Sequence, residues 1–128
     1  MESVKPNDKA SADYWTNFWK SNERLPAPAI INGTPDSGYG VQLFDQLFTR
    51  YLPTGGKAKG QQLLEVGCGN SIWLSYFHQR FGYSVSGIDY SEYGCAQTRK
   101  ILARDGCEGE IRLGNLFDPP ADMIGKFD

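Results

Sequence analysis

Gln62-Leu63-Leu64-Glu65-Val66-Gly67-Cys68-Gly69-Asn70-Ser71 decides how the rest of the chain is read. A short apolar run ends beside an acidic residue and breaks into two closely spaced glycines; a segment with helical spacing follows. This is the pattern of a strand, a tight turn and a helix start. Glycine lets a backbone take conformations closed to other residues and lets a ligand approach it closely. The helix start adds unpaired N–H groups. A turn of this kind, at the carboxyl end of a parallel strand, is where open α/β sheets bind nucleotide-like ligands.

Downstream, the same alternation repeats. Trp73, Leu74, Phe77 and Phe81 give a helix its inner face, with Gly82 at its C-terminal end. Tyr83 to Ile88 reads as a second strand ending in Asp89. Ser91 is placed to cap a third helix, in which Cys95, Thr98 and Leu102 share a face and Gly94 weakens the first turn. Asp105-Gly106 closes that helix. Glu110 to Leu113 is a third strand ending at Gly114-Asn115, and Pro119-Pro120 forces a loop. Leu63, Leu64 and Val66 alternate too little for a one-sided sheet, which suits a parallel strand buried on both faces. The fold class is therefore α/β with a parallel sheet.

Upstream, Tyr14, Trp15, Phe18 and Trp19 fall on one side of a helix. That helix either packs on the core or forms a lid over a ligand pocket. Residues 21–38, rich in Pro and Gly, read as an irregular connection. Asp36 or Ser37 is a candidate cap for a further helix, whose apolar face carries Phe44, Leu47, Phe48 and Tyr51. Residues 1–10 are polar and are expected to be mobile.

Composition narrows the function classes. A net charge of −2 leaves no basic surplus for neutralising phosphates, which argues against a general nucleic-acid binder. No apolar run approaches the roughly 20 residues a membrane helix needs, and the first residues lack the apolar core of a secretory signal. Cys68, Cys95 and Cys107 are odd in number and widely spaced, so a disulfide framework or a metal site is not expected; a reducing cytoplasm fits best.

Three strand ends carry a polar residue towards one edge: Glu65 with the glycines, then Asp89, then Asn115. An acidic residue about 20 positions past the glycines chelates ribose hydroxyls in nucleotide folds, which is where Asp89 stands; its alternative role is to cap a helix. Asn115 offers donors and an acceptor suited to an adenine edge. Leu116 and Phe117, or Tyr90, supply an apolar face for that ring. Glu65 either orients the loop or sits near the ligand. A dinucleotide pattern needs a third glycine where Ile72 stands, and Glu65 would repel a diphosphate. Cys68 reads as a small spacer, and His78 as a surface residue.

Leu64 to Ser71 resembles the first motif of the class I S-adenosylmethionine-dependent methyltransferases. Gly87-Ile88-Asp89-Tyr90-Ser91 resembles their second signature, and Gly114-Asn115-Leu116-Phe117 their third. Lys126-Phe127-Asp128 is similar to the entry into their fourth strand. Ser71 departs from the pattern, where many members have a third glycine. The resemblance implies a three-layer Rossmann-like parallel sheet, truncated after the third strand, with N-terminal helices. It implies an N-terminal helical extension over 1–60, serving as lid or cap, and over 61–128 the N-terminal half of a cofactor-binding methyltransferase domain. The implied cofactor is S-adenosylmethionine, held by Glu65, Gly67, Cys68, Gly69, Asp89, Tyr90, Asn115 and Leu116. The implied reaction is methyl transfer to a small molecule or a protein side chain, with the catalytic groups expected beyond Asp128 and the isolated chain expected to be inactive. Self-association through the open edge of the first strand is a further expectation. The competing reading is a non-catalytic α/β assembly module with a vestigial nucleotide pocket.

Overall fold

The structure is a computed structural model that describes residues 10–128. The expectation for the first ten residues therefore lies, apart from Ala10, outside the described residues. Three strands form a parallel sheet in the order β3–β4–β5: β3 is Gln62–Val66, β4 is Ser84–Asp89 and β5 is Gly109–Leu113. Leu64 lies opposite Ser86, and Gly87 opposite Ile111. Each crossover is a helix, α3 over Trp73–Phe81 and α4 over Glu92–Arg104. The expected parallel α/β sheet is thus present.

The two crossover helices form for different reasons. On α4, Cys95, Thr98, Ile101 and Leu102 are buried, one apolar stripe at helical spacing. Ser91 caps it, its Oγ accepting from Gly94 N at 3.1 Å. Burying Leu or Ile side chains such as Leu74 and Ile101 stabilises the fold by about 1.5–3 kcal/mol each. On α3 the inward face is aromatic: Tyr76, Phe77 and Phe81 are buried, and Phe81 stacks on Tyr83 at 5.4 Å. Trp73 is only half-buried, while the fully buried Tyr76 donates its hydroxyl to Asp45 Oδ1 at 2.8 Å. Gly82 ends α3 in the left-handed conformation, as its position implied.

The N-terminal part differs from expectation in three places. Residues 21–38 contain a small antiparallel hairpin, β1 (Ile30–Ile31) and β2 (Thr34–Pro35), turned by Asn32 and Gly33 with φ of 51° and 79°. Asn-Gly is the sequence signal for such a primed turn. The helix that follows, α2 (Tyr39–Tyr51), begins at Gly38 with no side-chain cap. Asp36 Oδ2 instead accepts from Gly38 N at 3.0 Å, closing a turn before the helix. Of the predicted apolar face of α2, Phe48 packs against Phe77 at 4.9 Å, whereas Phe44, Leu47 and Tyr51 remain exposed.

Among the described residues β3 is an edge strand. Leu63 and Leu64 are half-buried and Val66 is 48% exposed, so burial on both faces does not hold. At its start, Gln62 N donates to Asp128 Oδ2 at 2.8 Å and Asp128 N donates to Gln62 O at 2.9 Å. The first helix, α1 (Ala12–Ser21), has no buried residue; it lies against α4 rather than within a core. No helix among the described residues is long and apolar enough to cross a membrane.

Candidate functional site

The three strand ends meet through backbone bonds. Gly67 N donates to Ile88 O at 2.8 Å, and Gly114 N donates to Asp89 O at 2.9 Å. The loop after β3 and the segment after β5 are thereby both tied to the end of β4, as parallel strands of matched length allow. Gly67 has φ +73°, is exposed, and has no atom within 4 Å of the place a Cβ would take. That conformation strongly disfavours a side chain, and the open space leaves the backbone accessible.

Asp89 is the junction of this edge. Its Oδ2 accepts from Gly69 N at 2.8 Å and its Oδ1 accepts from Ser91 N at 2.7 Å. Each carboxylate oxygen keeps a further lone pair. Capping of α4 belongs to Ser91, so Asp89 is not the helix cap; it is half-buried and joins the glycine loop to the start of α4.

Glu65 faces the same loop. Its Oε2 accepts from Ser71 Oγ at 2.6 Å, and Ser71 Oγ accepts from Trp73 N at 3.0 Å. Burial pushes the Glu65 carboxyl above its ordinary value; the Ser71 hydroxyl pulls it back, and the nearby Asp89 charge pushes it up again. Beneath the loop, Thr98 Oγ1 donates to Cys68 O at 2.5 Å and accepts from Ser71 N at 3.2 Å. Cys68 is fully buried, and burial pushes its thiol strongly up, which leaves it a packing residue. Burial likewise pushes Cys95 up to about 11.

The third strand end is more open. Asn115 Oδ1 accepts from Phe117 N at 3.0 Å, a local turn that leaves the amide NH2 to donate elsewhere. Leu116 is exposed, and Phe117 is 89% exposed. Tyr90 is half-buried at the end of β4. The structure therefore brings Gly67, Cys68, Gly69 and Asp89 into one bonded unit, with Glu65 behind it and Asn115 one residue past the Gly114 tie. His78 is exposed on α3, its Nδ1 2.9 Å from Tyr83 O, far along the chain from this edge. Among the described residues no group of His, Cys, Asp and Glu is arranged to hold a metal ion.

Two residues that the sequence placed on helix faces make contacts with the loop that it did not give. Thr98 braces the loop from α4, and Trp19 of α1 presses on it from outside. Trp19 Nε1 lies 2.7 Å from where a Cβ on Gly69 would stand and 2.9 Å from where one on Gly94 would stand. The signal was Gly94, a residue that weakens a first helical turn unless something needs the space.

Comparison with known proteins gives one consistent family. The ribosomal RNA small subunit methyltransferase C of Alcanivorax borkumensis is 27% identical over 122 residues, 91% of this chain and 34% of that protein. The EEF1A lysine methyltransferase 2 of Danio rerio is 23% identical over 126 residues, 97% of this chain and 52% of that protein. The chain thus spans roughly a third to a half of these relatives. The geranyl diphosphate C-methyltransferase of Streptomyces coelicolor A3(2), solved with S-adenosyl-L-homocysteine, shares the fold: the TM-score is 0.59 at 18% identity, over 91% of this chain and 50% of that one. The methyltransferase domain family model matches residues 63–128, just over half of the chain, and the chain belongs to that family.

Proposed function

We propose that this chain supplies the cofactor-binding part of an S-adenosylmethionine-dependent methyltransferase, with residues 61–128 forming the binding edge and residues 1–60 a cover beside it. The observation that carries the reading is Asp89: a half-buried carboxylate fixed by Gly69 N and Ser91 N, with an acceptor site left on each oxygen. The donor set fits the cofactor. Ribose hydroxyls need paired acceptors, which Asp89 has; an adenine edge needs donors and acceptors, which Asn115 carries, beside Tyr90 and Leu116 as apolar neighbours. The exposed backbone at Gly67, flanked by Cys68 and Gly69, lets the methionine part lie close, and Glu65 holds the loop through Ser71.

When bound, the cofactor supplies a sulfonium methyl group that an acceptor takes by direct displacement. The residues present bind and orient; no nucleophile of the chain is required, since positioning alone lowers such a barrier substantially. The relatives are named for ribosomal RNA, a protein lysine and geranyl diphosphate, so the family spreads over several acceptor classes. The three free, buried cysteines support a reducing compartment such as the cytoplasm. Beyond its first residue, β3 has an open outer edge among the described residues, which supports self-association of the chain; a sedimentation coefficient that stays monomeric as concentration rises removes that part of the reading.

Calorimetric titration with S-adenosylhomocysteine tests the cofactor. Asp89→Asn keeps the shape and removes the charge, so affinity falls by roughly 10- to 150-fold, the worth of charged hydrogen bonds of about 1.5–3 kcal/mol. Equal affinities, or no binding by the unaltered chain, overturn the proposal.

A further inference from the structure

The bonds on Asp89 depend on two segments, the glycine loop and the start of α4, that are held from outside by α1. Trp19 seats in the notch between them. Its Cε2 lies 3.1 Å from the place of a Cβ on Gly69, and its Cδ1 2.8 Å from the place of one on Gly94. Real Cβ atoms do not come closer than about 3.0 Å to such neighbours, so with the indole seated neither position has room for a side chain. Ser91, fully buried, accepts from Gly94 N and stands 2.9 Å from Thr16 Oγ1, within reach of a hydroxyl–hydroxyl bond. Gln97 Nε2 donates to Asn22 O at 3.2 Å, at the far end of α1. Three points thus fasten one short helix across both segments that donate to Asp89.

α1 occupies one side of the loop only. Gly69 is buried under Trp19, while Gly67 stays exposed with nothing near it. The indole thus leaves the Gly67 backbone uncovered, while at Gly69 it shares the space above the Cα with Asp89 Oδ2. The docking of α1 is also weak by construction. A ten-residue helix is marginal without tertiary support, and Tyr14 and Phe18 remain exposed. Gln97 Oε1 at this seam, and Asn70 Oδ1 in the loop, are buried without a partner among the described residues, which weakens the docked state.

We propose that Trp19 is a positioning residue. Seated between Gly69 and Gly94 and latched by Thr16 on Ser91, it holds the Gly69 and Ser91 N–H groups on Asp89 and so sets nucleoside affinity at that carboxylate. The effect on affinity rests on the cofactor reading above; the effect on the loop does not. Linkage makes the coupling reciprocal: a ligand that favours the ordered Asp89 junction favours docked α1 by the same factor.

Residue-resolved amide exchange of the ligand-free chain tests the clamp directly. In Trp19→Ala, exchange at Gly69 and Ser91 rises about tenfold relative to Val85 and Ile88 in β4, as expected for a local opening rather than a global one. Trp19→Phe, which keeps a ring in the notch, restores most of the protection. Unchanged exchange at Gly69 and Ser91 overturns the proposal whether or not a ligand binds, and so does an equal rise at Val85 and Ile88. In titrations with S-adenosylhomocysteine, Trp19→Ala and Thr16→Val each lose roughly 5- to 150-fold in affinity, the usual range of such coupling. Loss in Asp89→Asn with none in Trp19→Ala removes the clamp and leaves the cofactor reading standing. No binding by the unaltered chain removes the cofactor reading, and the exchange data then decide the clamp alone.

Discussion

Replacing Ser71 by alanine separates two roles of one hydroxyl. Ser71 Oγ donates to Glu65 Oε2 at 2.6 Å and accepts from Trp73 N at 3.0 Å. The first bond is short and charge-assisted; the second satisfies one of the orphan donors at the start of α3. Stranding the Glu65 carboxylate costs about 1–3 kcal/mol, and losing the acceptor for Trp73 N costs about 0.5–1.5 kcal/mol. At pH 7.5 Ser71→Ala is therefore destabilised by about 1.5–4.5 kcal/mol. The pH dependence has a definite sign. The folded-state value of Glu65 is raised, so its ionisation opposes folding; that penalty is absent below the unfolded value and grows as pH rises towards the folded one. Removing Ser71, the one influence that pulls the value down, enlarges the penalty. The deficit at pH 7.5 must exceed the deficit at pH 4, where a protonated Glu65 leaves a neutral bond to lose in place of a charge-assisted one. Urea unfolding followed by far-UV circular dichroism measures both, and in a Glu65→Gln background the difference between the two pH values disappears. An equal deficit at both pH values, or a larger one at pH 4, refutes the reasoning.

Two further substitutions probe the frame around the site. In Gly87→Ala the new methyl meets Cys68 Sγ at 2.5 Å and Ile111 Cδ1 at 3.1 Å, so overpacking destabilises by about 1–3 kcal/mol, read as a lower urea midpoint; Cys68→Ala in the same chain recovers part of it. Asp45→Asn keeps an acceptor for the Tyr76 hydroxyl but removes the charge beside Arg80. The Arg80 guanidinium holds Asp45 below the usual carboxylate range, against burial and with help from Tyr76. That stabilisation is present above the unfolded value near 3.9 and is lost as pH falls through the folded value. A deficit of up to about 1 kcal/mol at pH 7 that vanishes near pH 2 is expected; a deficit independent of pH shows that the charge contributes nothing.

The parts of the fold legible in the sequence are those governed by local chemistry. The parallel strands, the cap at Ser91 and the end at Gly82 each depend on residue types within a few positions. Asp89 was legible as the acidic residue at a strand end, because spacing along a βαβ unit carries that information. What escaped was set by distant packing. The exposure of Phe44 and Leu47 follows from what α2 faces, which no periodicity of α2 contains. The hairpin at Asn32-Gly33 was legible but passed over, its strands being only two residues each. The contact that the aromatic segment makes depends on Gly69 and Gly94, 50 and 75 positions away from Trp19.

Trp19, Gly69 and Gly94 share a single volume. Within the family, that predicts covariation rather than independent conservation. A chain that carries alanine or serine at the position of Gly94 must present a smaller ring or an aliphatic side chain at the position of Trp19, and a chain that lacks the first helix is free of both restrictions. An alignment would then show the first-turn glycine of α4 travelling with a tryptophan that precedes it by four strands and two α-helices, a pairing that the contact between them explains.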